Sequence, residues 1–162
     1  MIDLKIRELI IGYLIASSLG VLFHFAYDFI GIDFLKIIFP SNESIFEHIK
    51  LIVFPSIIYM IIDLIITKNK KNVFPAYVGG IIVGSVFMVA AYYTYSGIIG
   101  FDNSIVNIII YFISMLIVFI YRYKKITLFE GANSVIAFVI LIILIELFSF
   151  YPADINLFFD KS

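Results

Sequence analysis

Cysteine and tryptophan are both absent from these 162 residues, histidine occurs twice, and only 14% of positions are charged. Without cysteine there is no disulfide, no thiolate nucleophile and no thiolate metal site, while the compartment stays open. Without tryptophan, any aromatic belt at a membrane surface falls to tyrosine and phenylalanine. A soluble domain is charged at about a quarter of its positions, so the shortage of charge is itself a signal. A formal net charge of −1 excludes nucleic acid as a partner, because that partner needs a basic face. What fills the space is apolar: 63% of residues are hydrophobic and the mean hydropathy is +1.12. A soluble fold of this length cannot hide so much apolar surface, so lipid is the expected solvent and a cell membrane the expected location. The length suits one domain, residues 1–162.

A helix that crosses about 30 Å of hydrocarbon needs roughly 20 mostly apolar residues. Five stretches qualify, at about 8–30, 43–67, 74–100, 103–121 and 131–150. The expected fold is therefore an all-α, multi-pass bundle of five transmembrane helices. The apolar run after Lys5 and Arg7 continues past the small residues Ala16, Ser17 and Ser18 to Ile30, which reads as an uncleaved first span. With the N-terminus inside, Lys5, Arg7, Lys68, Lys70, Lys71, Arg122, Lys124 and Lys125 are cytoplasmic, against Lys36, Lys50 and Lys161 outside. The positive-inside rule thus predicts a cytoplasmic N-terminus and an outside C-terminus. Both histidines and most acids, among them Asp28, Glu43, Glu47, Asp102 and Glu146, then gather on or near the outer side.

The densest polar stretch is PSNESIFEHIK, residues 40–50. Ser41 or Asn42 can cap the second span, and Ser44 with Glu47 matches a capping box. Caps do not explain His48, or Glu43 and Glu47 stacked one turn apart. On span one, Gly12, Ala16, Gly20, His24 and Asp28 recur every four residues and share a face. The small residues allow close helix approach, and the polar ones continue that face toward the outer end. Spans one and two are antiparallel neighbours, so His24 and Asp28 can face Glu43, Glu47 and His48. Two imidazoles with carboxylates suit zinc, manganese or iron. The expected ligands are His24, Glu47 and His48, with Asp28 as ligand or supporting partner and Glu43 as general base for a metal-activated water. The plainer alternative is a polar clasp between two helices.

Other polar positions carry weaker signals. Glu146 is an intramembrane acid that can join the cluster or reach to the boundary. Asp63 lies near the inner end of span two beside the lysines of the following loop. Tyr92, Tyr93 and Tyr95 suit an aromatic belt, with a hydroxyl able to orient a ligand. Gly80 and Gly84 form a GxxxG pair. Pro55 is expected to bend span two. The tail FSFYPADINLFFDKS can lie on the membrane or fold back over the outer site.

Pro40, Asn42, Glu43, Ser44, Glu47, His48, Lys50 and Leu51, with Phe46 before Glu47, resemble a motif near the outer end of the second helix in a family of small, uncharacterised bacterial integral membrane proteins. The His24–Asp28 pair is similar as well, as is the tail element from Asn156 to Asp160. The resemblance implies a multi-span helical protein and no established activity. Alkaline-ceramidase-like hydrolases hold zinc with several histidines, and two are too few for that assignment.

The leading expectation is a metal-dependent membrane hydrolase acting on a lipid or lipid-linked group. A non-enzymatic accessory or assembly protein with a structural polar cluster is the first alternative. A small ion- or proton-coupled transporter is the second. Membrane lipid is the expected partner, with a second copy or another membrane protein open.

Overall fold

Each long apolar stretch is a helix in the computed structural model, which describes residues 4–68, 70–155 and 157–158. In chain order the elements are α1 (Leu4–Ile30), a 3-10 turn (Asp33–Ile37), α2 (Ile45–His48), α3 (Lys50–Ile66), α4 (Val73–Ile99), α5 (Ser104–Lys124) and α6 (Ala132–Phe150). Among the described residues there is no strand. Among those residues five helices are long and apolar enough to cross a membrane, with α2 and α3 together forming one of them. Between helix α1 and α2 the loop is apolar, as expected, but contains the 3-10 turn.

The core lies between α1, α3, α4 and α5, and small residues set its spacing. The α4–α5 contact is the most extensive in the bundle. A Cβ on Gly80 would lie 2.9 Å from the Val118 Cα, and one on Gly84 would lie 2.7 Å from the Ser114 carbonyl oxygen. The GxxxG pair is therefore where α5 backbone rests on α4. The four-residue stripe of α1 works in the same way. Gly12 abuts the rings of Tyr59 and Phe119, Ala16 is fully buried, and Gly20 abuts Tyr111 and the Leu51 carbonyl.

That last contact depends on Pro55. Proline has no N–H, so the carbonyl four residues earlier, Leu51, loses its helical donor. A Cβ on Gly20 would lie 2.8 Å from that oxygen. The helix α3 runs through Pro55, and the glycine lets α1 cover the gap closely.

Three boundaries differ from the sequence expectation, the first being the start of span one, which lies about a turn earlier, at Leu4. The fourth span extends through Arg122 to Lys124, because Arg122 has a partner inside the bundle. Its guanidinium grips Asp63 with Nε at 2.5 Å and Nη2 at 3.2 Å. The Tyr77 and Thr67 hydroxyls donate to the same carboxylate at 3.0 and 2.5 Å. Asp63 thus ties α3 to α4 and α5, rather than serving as a surface acid beside the loop lysines. The second span begins later than expected, at Ile45, because Glu43 and Ser44 form its approach and cap.

The glycine contacts give a test. Gly84→Val forces a side chain onto α5 backbone and is expected to destabilise the detergent-solubilised protein by about 1–3 kcal/mol. Gly97→Ala, with nothing within 4 Å of the new carbon, is expected to leave the melting midpoint unchanged or slightly higher. Equal midpoints for the two variants would contradict this packing.

Candidate functional site

The polar stretch before α3 divides into two sets of residues with separate surroundings. Its local fold follows from short side-chain bonds. Asn42 Oδ1 accepts from the Ser44 backbone N–H at 2.9 Å, and Ser44 Oγ accepts from the Glu47 N–H at 3.3 Å. Ser44 is therefore the cap of α2, not Ser41 or Asn42. In a full capping box the Glu47 carboxylate would return to the Ser44 N–H. Here it reaches further back and accepts from the Ser41 N–H at 2.8 Å and the Ser41 hydroxyl at 3.2 Å.

Glu47 then meets Lys50. The ammonium lies 3.0 Å from Glu47 Oε2 and donates to Ser149 Oγ at 2.6 Å and to the Lys36 carbonyl. Ser149 in turn donates to Glu47 Oε1 at 2.7 Å. Lys50 is fully buried and Glu47 is 2% exposed. An ammonium has three N–H donors, and all three are used. Both oxygens of Glu47 are likewise occupied by donors. A carboxylate in this state has little left to offer a metal, so the expected ligand role of Glu47 does not match its surroundings. Lys50, counted in the sequence among the outer bases, is an interior cation. Ser149 on α6 was not anticipated. The available signal was a Lys and a Glu three apart at the head of an apolar span, where an unpaired charge is costly.

Glu43 and His48 turn the other way, toward His24 of α1. One ligand atom from each of His24, Glu43 and His48 lies within 4.8 Å of the others. Glu43 replaces Glu47 in the expected set, and Asp28 is exposed one turn above His24, outside that group. His48 Nδ1 lies 2.8 Å from the Ser44 carbonyl oxygen. A carbonyl can only accept, so Nδ1 carries a proton, and in the neutral ring the lone pair is on Nε2. That Nε2 is 3.5 Å from Glu43 Oε2. Two lone-pair atoms face each other there unless a proton or a cation lies between them. Donors about 2.1 Å from one tetrahedral zinc are about 3.4 Å apart, so this pair is already at the right separation. The His24 and His48 rings are 5.2 Å apart, and His24 Nδ1 is buried with no hydrogen-bond partner. A carbonyl that accepts from the far ring nitrogen and so fixes the tautomer, as Ser44 does here, is the usual companion of a metal-binding imidazole.

These three side chains line one end of a cavity of about 550 Å³. Asp102, Asn107, Ser104 and Tyr92 line it too, and the remaining walls are mainly apolar. Asp102 accepts from the Tyr95 hydroxyl at 2.6 Å and the Asn107 amide at 2.8 Å. Burial alone would raise the Asp102 carboxyl, but those bonds and the Asn103 backbone outweigh it and hold the group below the usual carboxylate range. Tyr92 is buried against the rings of Tyr93 and Tyr95, and Tyr93 does not line the cavity.

Glu146 lies beside the Glu47 half of the expected cluster, not beside the histidines. Its two carboxyl oxygens are buried without a hydrogen-bond partner, and its charged neighbours are Lys50 and Glu47. The tail does fold back, but onto α2 and α6. Phe158 packs on Phe46 and Phe148 with ring centroids 4.6 and 5.1 Å away, and the Leu157 carbonyl accepts from the Phe46 N–H at 3.2 Å. None of its described residues lines the cavity. Asn156, Phe159 and Asp160 lie outside the described residues.

The chain belongs to a family of unknown function (DUF6512), whose sequence model matches residues 4–162. No curated protein and no solved structure matches it.

The division of the polar stretch predicts opposite behaviour for its two acids. Lys50→Met leaves Glu47 buried without its counter-charge and is expected to cost about 3–5 kcal/mol of stability. Glu47→Gln with Lys50→Met in one chain is expected to recover part of that loss. Glu43→Gln, at a half-exposed side chain, is expected to leave the detergent melting midpoint within about 0.5 kcal/mol of wild type. A midpoint for Glu43→Gln as low as that for Lys50→Met would contradict the division.

Proposed function

We propose that this protein is a membrane metalloenzyme that hydrolyses a lipid or lipid-linked group, with a divalent ion held by His24, Glu43 and His48. The observation that carries this reading is the convergence of those three donors, within 4.8 Å, on the wall of a largely apolar cavity. Three protein ligands are what a catalytic zinc site uses, with the fourth position left to water. Manganese or iron fits the same nitrogen and oxygen donors. The bound ion would supply a hydroxide near neutral pH and polarise the ester or phosphoester under attack.

In this arrangement Glu43 belongs to the ligand set rather than acting as a free base. Ser44 orients His48 through the Nδ1 bond, and the Glu47–Lys50 pair holds the segment from which both Glu43 and His48 project. Asp102, anchored by Tyr95 and Asn107, contributes the second acidic group of the cavity and suits proton transfer to or from the reacting centre. The asymmetry of loop lysines and arginines favours the side of the membrane away from the cytoplasm for this site.

Metal content tests the proposal. Protein extracted in detergent, without a chelator or a histidine tag, is assayed by plasma mass spectrometry as wild type and as His24→Ala, Glu43→Gln and His48→Ala. The expected result is close to one zinc, manganese or iron per wild-type chain, and its loss in His48→Ala with the melting midpoint largely kept. No metal in wild type, even after incubation with each of the three ions, would overturn the metalloenzyme and leave a structural clasp between α1 and α2.

A further inference from the structure

The cavity has a floor, a polar end and an open side, and the three together define what fits. The floor lies at Tyr111, Leu51 and Met88, which are 7%, 5% and 2% exposed. The Tyr111 hydroxyl donates to the Ser17 carbonyl at 2.9 Å, and Gly20 lets α1 close onto that hydroxyl. Below this level α1 and α5 stay in contact, as Gly12 against Phe119 shows. Above it the two helices are parted by the cavity. Val21 and Phe25 of α1 line it and are 43% and 62% exposed, and Ile108 of α5 lines it and is 56% exposed. Residues that face both the cavity and the outer surface of a helix bundle mark an opening in its side. The opening lies within stretches of α1 and α5 that are long and apolar enough to cross a membrane, so lipid tails are the medium expected around it.

From Ser104 to Tyr111 the helix α5 rises about 10 Å, at about 1.5 Å per residue. One leaflet has about 15 Å of hydrocarbon. The cleft therefore reaches from the membrane surface through much of one leaflet and stops at the Tyr111 floor. A soluble polar substrate would gain nothing from these walls, and a two-chain lipid would enter with one tail and leave the other in the bilayer.

We propose that the cleft between α1 and α5 takes a single acyl chain sideways from the leaflet, with the chain end against Tyr111 and an anionic or ester head at His24, Glu43 and His48. The substrate class is then a single-chain amphiphile, or one chain of a larger lipid whose other parts stay in the bilayer. Tyr111 is the residue that limits chain depth. The proposal rests on the metal reading for the head of the ligand, and on the cleft alone for its tail.

Photolabelling tests it, with two analogues of dodecanoic acid carrying a diazirine either beside the carboxylate or near the methyl end. Purified protein in detergent is irradiated with each, and the adducts are mapped by peptide mass spectrometry. The expected pattern is methyl-end adducts on Leu51, Met88 or Tyr111 and head-end adducts near His24 and Phe25. Ile108→Trp places a large ring in the opening at a surface position, and cavity labelling is expected to fall about tenfold with metal content unchanged. Adducts spread evenly over lipid-facing residues such as Ile113 and Ile140, with no effect of Ile108→Trp, would overturn the inference. Should that variant fail to insert, the wild-type map decides alone. Metal is measured on the same samples. Ordered labelling in a metal-free protein supports the cleft and overturns the metalloenzyme, whereas random labelling in a metal-loaded protein does the reverse.

Discussion

The buried pair of Glu47 and Lys50 is the constraint on which the upper half of this bundle depends. Two charges removed from water are tolerated only when each is paired and its remaining hydrogen-bonding capacity is met. Here the pair lies within one helical segment, and its remaining capacity is met from two others: Ser41 and the Lys36 carbonyl in the loop between α1 and α2, and Ser149 of α6. The pair cannot be satisfied unless those segments converge. It therefore fixes the path of the loop from α1 to α2 and draws the otherwise loosely packed α6 against the bundle. The tail adds a lesser restraint, with Phe158 on Phe46 and Phe148.

Fixing that segment also decides which way its other polar residues face. On a helix, residues one position apart point in different directions, while those three or four apart share a face. Glu47 and Lys50 share the inward face toward α6. His48, one residue from Glu47, is turned by about a quarter of the circumference toward α1. Glu43 approaches it from the loop, held by the Asn42 and Ser44 turn. The same compact motif thus feeds a saturated structural network on one side and an unsaturated donor cluster on the other. The reach of α1 toward that cluster is set lower down, where its small residues and Pro55 of α3 allow close contact and the bulk of Tyr111 ends it.

Much of the fold was legible in the sequence because lipid imposes a simple length and hydropathy rule. The five spans, the small-residue stripe of α1 and the GxxxG contact of α4 all follow from local patterns. The pairing of Asp63 with Arg122 was not legible, since those residues lie in different spans and no local spacing links them. For the site, His24, His48 and Glu43 could be named as a neighbourhood. Which acid accompanied the histidines could not be settled by spacing, because Glu43 and Glu47 are both one turn or less from the relevant face. The deciding partner, Ser149, is 102 residues from Glu47. The cavity and its side opening depend on how two helices diverge, and hydropathy carries no trace of that.

The most direct measurement is an anomalous-scattering map of crystals of the protein loaded with manganese or zinc, collected at the metal edge. A single peak is expected on each chain within bonding distance of His24, Glu43 and His48, with the Ser44 carbonyl still holding His48 Nδ1 and Lys50 still paired with Glu47. A peak bonded to Glu47, or no peak at the histidines in fully loaded protein, would contradict that expectation.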